Sequence, residues 1–450
     1  MNGFNYLLKK IRILSPTQTI ITSFLALIFM GALILCLPCM VQNRPGLNLI
    51  EAFFTATAAV CVTGLELVST SQEFTWFGQL IIILLVQIGG LGFMTLTSLI
   101  FRLFHRRFGL RDRLLLAEQM QQDHLQDAVS LMRSVSLITL ISEGSGAFLL
   151  ALRFVPQYGL LRGSWYSIFH SISAFCSAGY TCFDLNILTN HNGLQDPYVM
   201  IILAILVIIG GLGFPIIVDL NQKRKFSKLS LHSRMVLLTT GVLIAFGSMS
   251  FLFSEFNNPS SLQNYTWPMR ILLSLFHGVS PRSAGFSIVD YRSLKPVTLL
   301  ITCILMFIGA APASTGGGIK VTTFATIILF LIGSIKGSRE AIFMKRRLAF
   351  DVVQKSLVIC SIAFIQVIFT TAVLLVLEPY PLEDMLFEAV SACSTAGISL
   401  GITKLLSTPS QVVLMVMMFV GRVGPLSIAM AVGHQRPRPY EFAEGRVIVG

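Results

Sequence analysis

The chain reads as an all-α polytopic membrane protein built from four repeats of span, re-entrant pore loop and span. That makes eight transmembrane helices and four short pore helices around one central axis. Three observations predict this class. The composition is far too apolar for a soluble globule, eight runs are long enough to cross a bilayer, and a short motif ending in glycine recurs four times between them.

Of 450 residues, 54% are hydrophobic and 12% charged, with a mean hydropathy of +0.77, a balance typical of polytopic membrane proteins. No soluble domain of ordinary size fits between the apolar runs. Lys9, Lys10 and Arg12 before "TIITSFLALIFMGALILCL" imitate a signal peptide, but the run is too long and lacks a small-residue cleavage site, so it is a retained first span. The eight cysteines, at positions 36, 39, 61, 176, 182, 303, 360 and 393, lie mostly within or at the ends of apolar runs and form no secreted framework. Cys36 and Cys39 make a CxxC without a βαβ context and read as thiols packed at a helix end.

Runs of the length a bilayer core requires, roughly 20 residues, fall at 17–40, 77–103, 134–154, 197–219, 234–256, 297–333, 352–377 and 409–433. Lys and Arg crowd the N-terminus, the links Arg102 to Arg113, Lys223 to Arg234 and Lys336 to Arg347, and the tail from Arg436. Threading eight spans puts all of these on one face, cytoplasmic by the positive-inside rule, with both termini there. The net charge of +12 is therefore a topology signal, and no nucleic-acid partner is expected. The other face carries Glu51, Glu66, Glu73, Asp184, Asp196, Glu255, Glu378, Glu383, Asp384 and Glu388. The outer face is acidic and the inner face basic.

Between the spans of each pair lies a shorter apolar segment of re-entrant type: "AFFTATAAVCVTGL" from Ala52, "SIFHSISAFCSAGY" from Ser167, "SLFHGVSPRSAGF" from Ser274 and "LFEAVSACSTAGI" from Leu386. Each ends in a glycine, Gly64, Gly179, Gly285 or Gly397; the third is one residue shorter, which leaves its register before Ser283 open. Glycine turns also mark the following spans, at Ile88, Ile209, Ile308 and Val420. Repetition in both places predicts one unit used four times: a first repeat at 1–115, a second at 116–228, a third with a broken second span at 229–346, and a fourth at 347–450. Four such loops around a central pore bring backbone carbonyls to one mouth. Glycine permits the positive φ that lets successive carbonyls face a centre, and a carbonyl ring can replace the hydration shell of a potassium ion. Pore helices aim their partially negative C-terminal ends at a cation. The architecture is potassium-channel-like.

At these residues the sequence resembles the Trk/Ktr/HKT superfamily of cation transporters, and within it the Ktr-type membrane subunit of bacterial potassium uptake, over essentially the whole chain. The four loop glycines, "STGGGIK" in the third repeat and "GRVGP" in the fourth carry the resemblance. The chain starts directly at the first repeat, without the extra N-terminal pair of spans of Trk-type relatives, which favours Ktr. Gly64 matches that family's potassium-permissive choice in the first loop. The resemblance implies a selectivity filter, binding K⁺ through carbonyls, of Val62, Thr63 and Gly64; Ser177, Ala178 and Gly179; Ser283, Ala284 and Gly285; and Thr395, Ala396 and Gly397. It implies an intramembrane gate formed by Ala310, Ala311, Pro312, Ala313, Ser314, Thr315, Gly316, Gly317 and Gly318, with Lys320 and Arg422 beside it. It also implies a homodimer in the bacterial plasma membrane, docked on a cytosolic ring-forming regulatory subunit that binds ATP or ADP, with Na⁺ as activator or co-ion. No Walker A motif is present, so nucleotide is expected on the partner only.

Two histidines, His170 and His277, occupy equivalent places in two pore segments where Thr55 and Glu388 stand in the others, and a structural, hydrogen-bonded role is expected for both. Basic groups at membrane depth, Lys320 and Arg422, mark a functional site unless they snorkel to the interface. Residues 297–333 as one helix would extend roughly 55 Å, beyond a core of about 30 Å, and Gly309, Pro312 and Gly316 to Gly318 supply a break. A secondary symporter coupled to Na⁺ or H⁺ is the alternative; it calls for acidic groups in broken helices, and only peripheral Glu143 and Asp219 offer any. An intramembrane enzyme is the weakest class, since no HExxH, GxSxG or paired intramembrane aspartates occur.

Overall fold

A computed structural model describes residues 16–42, 45–92, 125–182, 196–338 and 340–424. Lys9, Lys10, Arg12, the Arg102 to Arg113 link, Asp184 and the tail from Arg436, which entered the topology expectation, lie outside the described residues.

Each expected repeat opens with a long apolar helix: α1 (Pro16–Leu35), α4 (Leu125–Tyr158), α8 (Leu231–Glu255) and α12 (Phe350–Leu377). These four are long and apolar enough to cross a membrane. Leu140, Phe148, Phe253 and Val376 stand exposed on three of them, as contact with lipid requires. A short helix follows in each repeat: α2 (Leu49–Val60), α5 (Leu160–Phe175), α9 (Trp267–Val279) and α13 (Leu382–Cys393).

In the segments expected as second spans the helices are shorter, of 10–17 residues, or bent, and helix gives way. α3 (Trp76–Leu91) ends at Gly92, with φ 83° and ψ 142°. α6 (Pro197–Leu212) ends at Gly213, with φ 90° and ψ 137°, and α7 (Phe214–Lys223) leaves it at 95°. The expected span 197–219 is thus bent, because Gly213 adopts a conformation that removes the next residues from the helical ladder. In the third repeat α10 (Pro296–Ile308) stops at Gly309 and α11 (Val321–Ile335) resumes after Lys320, so the break falls on the expected glycines and proline. α14 (Thr408–Val423) ends at Gly424, with φ 91° and ψ 130°. A two-stranded hairpin, β1 (Ile342–Phe343) and β2 (Arg346–Arg347), links α11 to α12.

Packing closes the arrangement into a cycle. α3 lies against α5, α6 against α9, α10 against α13, and α14 against α2, so each second-span helix meets the short helix of the next repeat and the fourth returns to the first.

Several acids assigned to the outer face are buried acceptors. Glu255 takes hydrogen bonds from the amides and hydroxyls of Asn258, Ser261, Lys295 and Thr298 at the start of α10. Glu378 takes them from the amide and hydroxyl of Ser407 before α14. Burial opposes ionisation of Glu378, but those donors prevail and hold its carboxyl below the usual range. Both carboxylates satisfy helix N-termini that would otherwise leave bare N–H groups.

Candidate functional site

The short helices α2, α5, α9 and α13 deliver four loops to one point. Val62, Ser177, Ser283 and Thr395 adopt φ of 55°, 60°, 81° and 48°, and Gly64, Gly179, Gly285 and Gly397 adopt 85°, 73°, 73° and 80°. The residue between each pair, Thr63, Ala178, Ala284 or Ala396, is not left-handed and is fully buried. Alternating hand along a chain gathers backbone groups of one kind on one side. The amides are turned backwards: Thr63 N–H donates to Ala58, Ala178 to Ser173, Ala284 to Ser280 and Ala396 to Ser391. Their carbonyls meet the neighbouring loops.

The glycines show where those carbonyls point. A Cβ on Gly64 would lie 2.0 Å from the oxygen of Ala178; on Gly179, 2.9 Å from that of Ala284; on Gly285, 3.1 Å from that of Ala396; on Gly397, 1.8 Å from that of Thr63. Each loop touches the next, and the last touches the first. The result is a closed ring of backbone oxygens, with the C-terminal ends of four helices behind it. All twelve residues assigned to the filter by resemblance lie in this ring or at its edge.

The third loop's register is now fixed. Its amide bond spans four residues, Ala284 to Ser280, where the other three span five. Ser280 Oγ donates to Phe286 O as Ser173 Oγ does to Tyr180 O, so the missing residue lies in the turn between Ser280 and Ala284. The residue preceding Ser283, Arg282, is buried, with one long bond to Thr240 Oγ1 at 3.4 Å. His170 bonds Tyr166 O and Thr181 Oγ1, and His277 bonds Thr302 Oγ1 and Tyr291 Oη, consistent with structural roles. Glu388 accepts from Ser399, Thr403 and the amide of Leu400, fastening the chain beyond the fourth loop.

Between α10 and α11, Gly309 to Lys320 crosses beneath the ring. Thr315 Oγ1 meets Ser177 Oγ at 3.2 Å and Phe175 O at 3.1 Å, and Gly317 N–H donates to Ser283 Oγ at 2.9 Å. A Cβ on Gly317 would lie 2.2 Å from Thr395 Oγ1. The segment therefore leans on the first residue of three of the four loops. Its other bonds satisfy a broken helix: Ala311 and Thr315 amides donate to Gly211 and Gly210, and Phe214 N–H returns to Ala313 O. The carbonyls that the 95° bend strips of partners are thus refilled by the loop.

Arg422 does the same for α3. Its guanidinium donates to the carbonyls of Gly89 and Gly90 and to that of Thr315, joining the first, third and fourth repeats. Lys320 adopts φ 83° and ψ 139°, close to the values at Gly92, Gly213 and Gly424. It occupies with a lysine the joint that the other repeats make with glycine, and its Nζ donates to Gly316 O at 2.5 Å. Neither basic group snorkels. The sequence placed both at the break but showed neither the bonds of Arg422 nor the backbone of Lys320; the burial of Arg282 was missed altogether.

A family model described as "TrkH: Cation transport protein" matches residues 5–440. The chain is 34% identical over 436 residues to the "Ktr system potassium uptake protein B" of Bacillus subtilis (strain 168), covering 97% of each. It is 36% identical over 437 residues to the Vibrio alginolyticus protein of the same name, covering 96% of this chain and 94% of that one. The "Potassium/sodium uptake protein NtpJ" of Enterococcus hirae is 31% identical over 444 residues, with 97% and 98% covered. In fold, the crystal structure of the potassium transporter TrkH from Vibrio parahaemolyticus superposes with a TM-score of 0.73 at 17% identity, over 94% of this chain and 86% of that one.

Proposed function

The chain belongs to the TrkH family of cation transport proteins, and from that premise we propose that it carries potassium into the cell through the ring of carbonyls. The observation that supports this best is the closed contact order Gly64 to Ala178, Gly179 to Ala284, Gly285 to Ala396 and Gly397 to Thr63. Four neutral oxygens around one axis can exchange for the water around a monovalent cation. On this reading the filter is the twelve residues named above. The segment Ala310 to Gly318 obstructs the path below it, with Lys320 and Arg422 adding positive charge, and a cytosolic nucleotide-binding partner moves the segment. The membrane unit is a homodimer in the plasma membrane with both termini cytoplasmic, and Na⁺ serves as activator or co-ion.

Purified protein in liposomes should take up Rb⁺ down its gradient, in preference to Na⁺. Uptake against a gradient would instead favour the symporter, and no uptake with or without the partner would overturn both.

A further inference from the structure

We propose that Glu143 is a proton-binding site seated behind the second loop, its charge state governing ion passage; this rests on the carbonyl ring being the ion path. Glu143, peripheral by the sequence reading, lies in the interior of α4 and is the only acid among the described residues that falls within an expected span and more than a turn from its ends. An ionisable group at that depth is costly and needs a purpose or a partner.

Its surroundings supply one good donor. Gln87 Nε2 on α3 donates to Oε2 at 3.1 Å, and the Cys176 thiol on α5 lies 3.8 Å from Oε1 and 3.5 Å from Gln87 Oε1. Ser171 Oγ donates to the Glu143 backbone carbonyl at 2.7 Å, pinning this turn of α4 to α5. No Lys or Arg among the described residues forms an ion pair with it. A proton is the counter-ion such a site accepts, with Gln87 fixing one oxygen and the other left to a weak thiol donor.

The elements packed around it offer little else that titrates. α3 and the facing part of α6 carry no ionisable side chain. α5 carries Arg162 near its start, Tyr166 and His170, the last already bonded to Tyr166 O and Thr181 Oγ1, and is capped by Cys176. α7 carries Asp219, paired with Lys223 at 2.7 Å. α14 carries Arg422, which bonds the carbonyls two and three residues beyond Gln87.

Connection to the path is short. Cys176 caps α5 and is followed directly by Ser177, the left-handed residue of the second loop that also bonds Thr315. A negative charge on Glu143 reinforces the negative end of α5 behind the ring and attracts a cation; a proton there removes it.

The test measures Rb⁺ uptake in liposomes from mildly acidic to mildly alkaline pH, beside the infrared band of protonated carboxyls. Wild-type uptake should rise with pH by roughly fivefold or more, the low end of ordinary coupling between sites. Glu143→Gln should flatten that response and remove one carboxylic band. A wild-type rate indifferent to pH, an unchanged profile in Glu143→Gln, or an unaltered band would each overturn the assignment. Should the glutamine variant insert poorly, Glu143→Asp retains the acid and must shift the band; an unshifted band overturns it equally. Failure of the ring itself would appear separately, as glycine variants that leave K⁺ over Na⁺ preference untouched.

Discussion

Replacing each ring glycine by alanine is a graded experiment, because the four sites differ in what the new methyl meets. Every variant carries the same backbone penalty, since a side chain at φ between 73° and 85° costs about 1–2 kcal/mol. By itself that is worth up to about thirtyfold in an equilibrium. At Gly285 little more is added, since the methyl would sit 3.1 Å from Ala396 O. At Gly397 it would sit 1.8 Å from Thr63 O, and at Gly64, 2.0 Å from Ala178 O. A carbon–oxygen contact of roughly 3.3 Å then requires a coordinating carbonyl to move by an ångström or more. Misplacement of that size at a positioned group costs on the order of a hundredfold. Apparent Km for Rb⁺ uptake, normalised to inserted protein, should therefore rise most for Gly397→Ala and Gly64→Ala, less for Gly179→Ala and least for Gly285→Ala. K⁺ over Na⁺ preference should fall in the same order. If Gly285→Ala is as damaging as Gly397→Ala, or if neither changes Km, the oxygens of the ring do not hold the ion.

Deleting Ala313 to Gly317 should raise flux and reduce its dependence on the partner; low, fully partner-dependent flux through folded protein would place the gate elsewhere. Arg422→Ala should act in the same direction but more weakly in single-turnover Rb⁺ flux, since it removes hydrogen bonds from a charged donor worth about 1.5–3 kcal/mol each while leaving the segment's own contacts with Ser177 and Ser283. Lys320→Gly should melt in detergent at a higher temperature than Lys320→Ala, because glycine alone relieves a conformation costing about 1–3 kcal/mol; the reverse order would mean that Lys320 is unstrained. Reversing the charge of Lys225 and Lys228, which spares the Lys223–Asp219 pair, should weaken co-purification of the cytosolic partner without impairing insertion, and normal retention would exclude docking there.

Much of this was legible in the residues, and the exceptions have physical causes. The repeat was visible because its pore segments share a residue pattern, and the break after Ile308 because glycine and proline interrupt a helix wherever it lies. The bend at Gly213 was not, because the run 197–219 has an ordinary span length and demands no break. Lys320 was recognised as a cation at membrane depth, yet only the backbone shows that it stands at a glycine joint. Glu255 and Glu378 looked like surface charge because an acid near a span end usually faces water; which amides reach them depends on how the next helix begins. Arg282 was concealed by its place in a loop, since its burial arises from the shortened turn and from Thr240, 42 positions away.

The segment beneath the ring shares two hydrogen bonds with it, Thr315 to Ser177 and Gly317 to Ser283. On the proposed reading, ion occupancy and segment position are therefore linked quantities, and linkage is reciprocal. Whatever factor the segment's withdrawal applies to the ring's affinity for potassium, a bound potassium applies to the equilibrium for withdrawal. External potassium would then bias its own entry with no dedicated sensor, and the work asked of the cytosolic partner would vary with the concentration of the ion it admits.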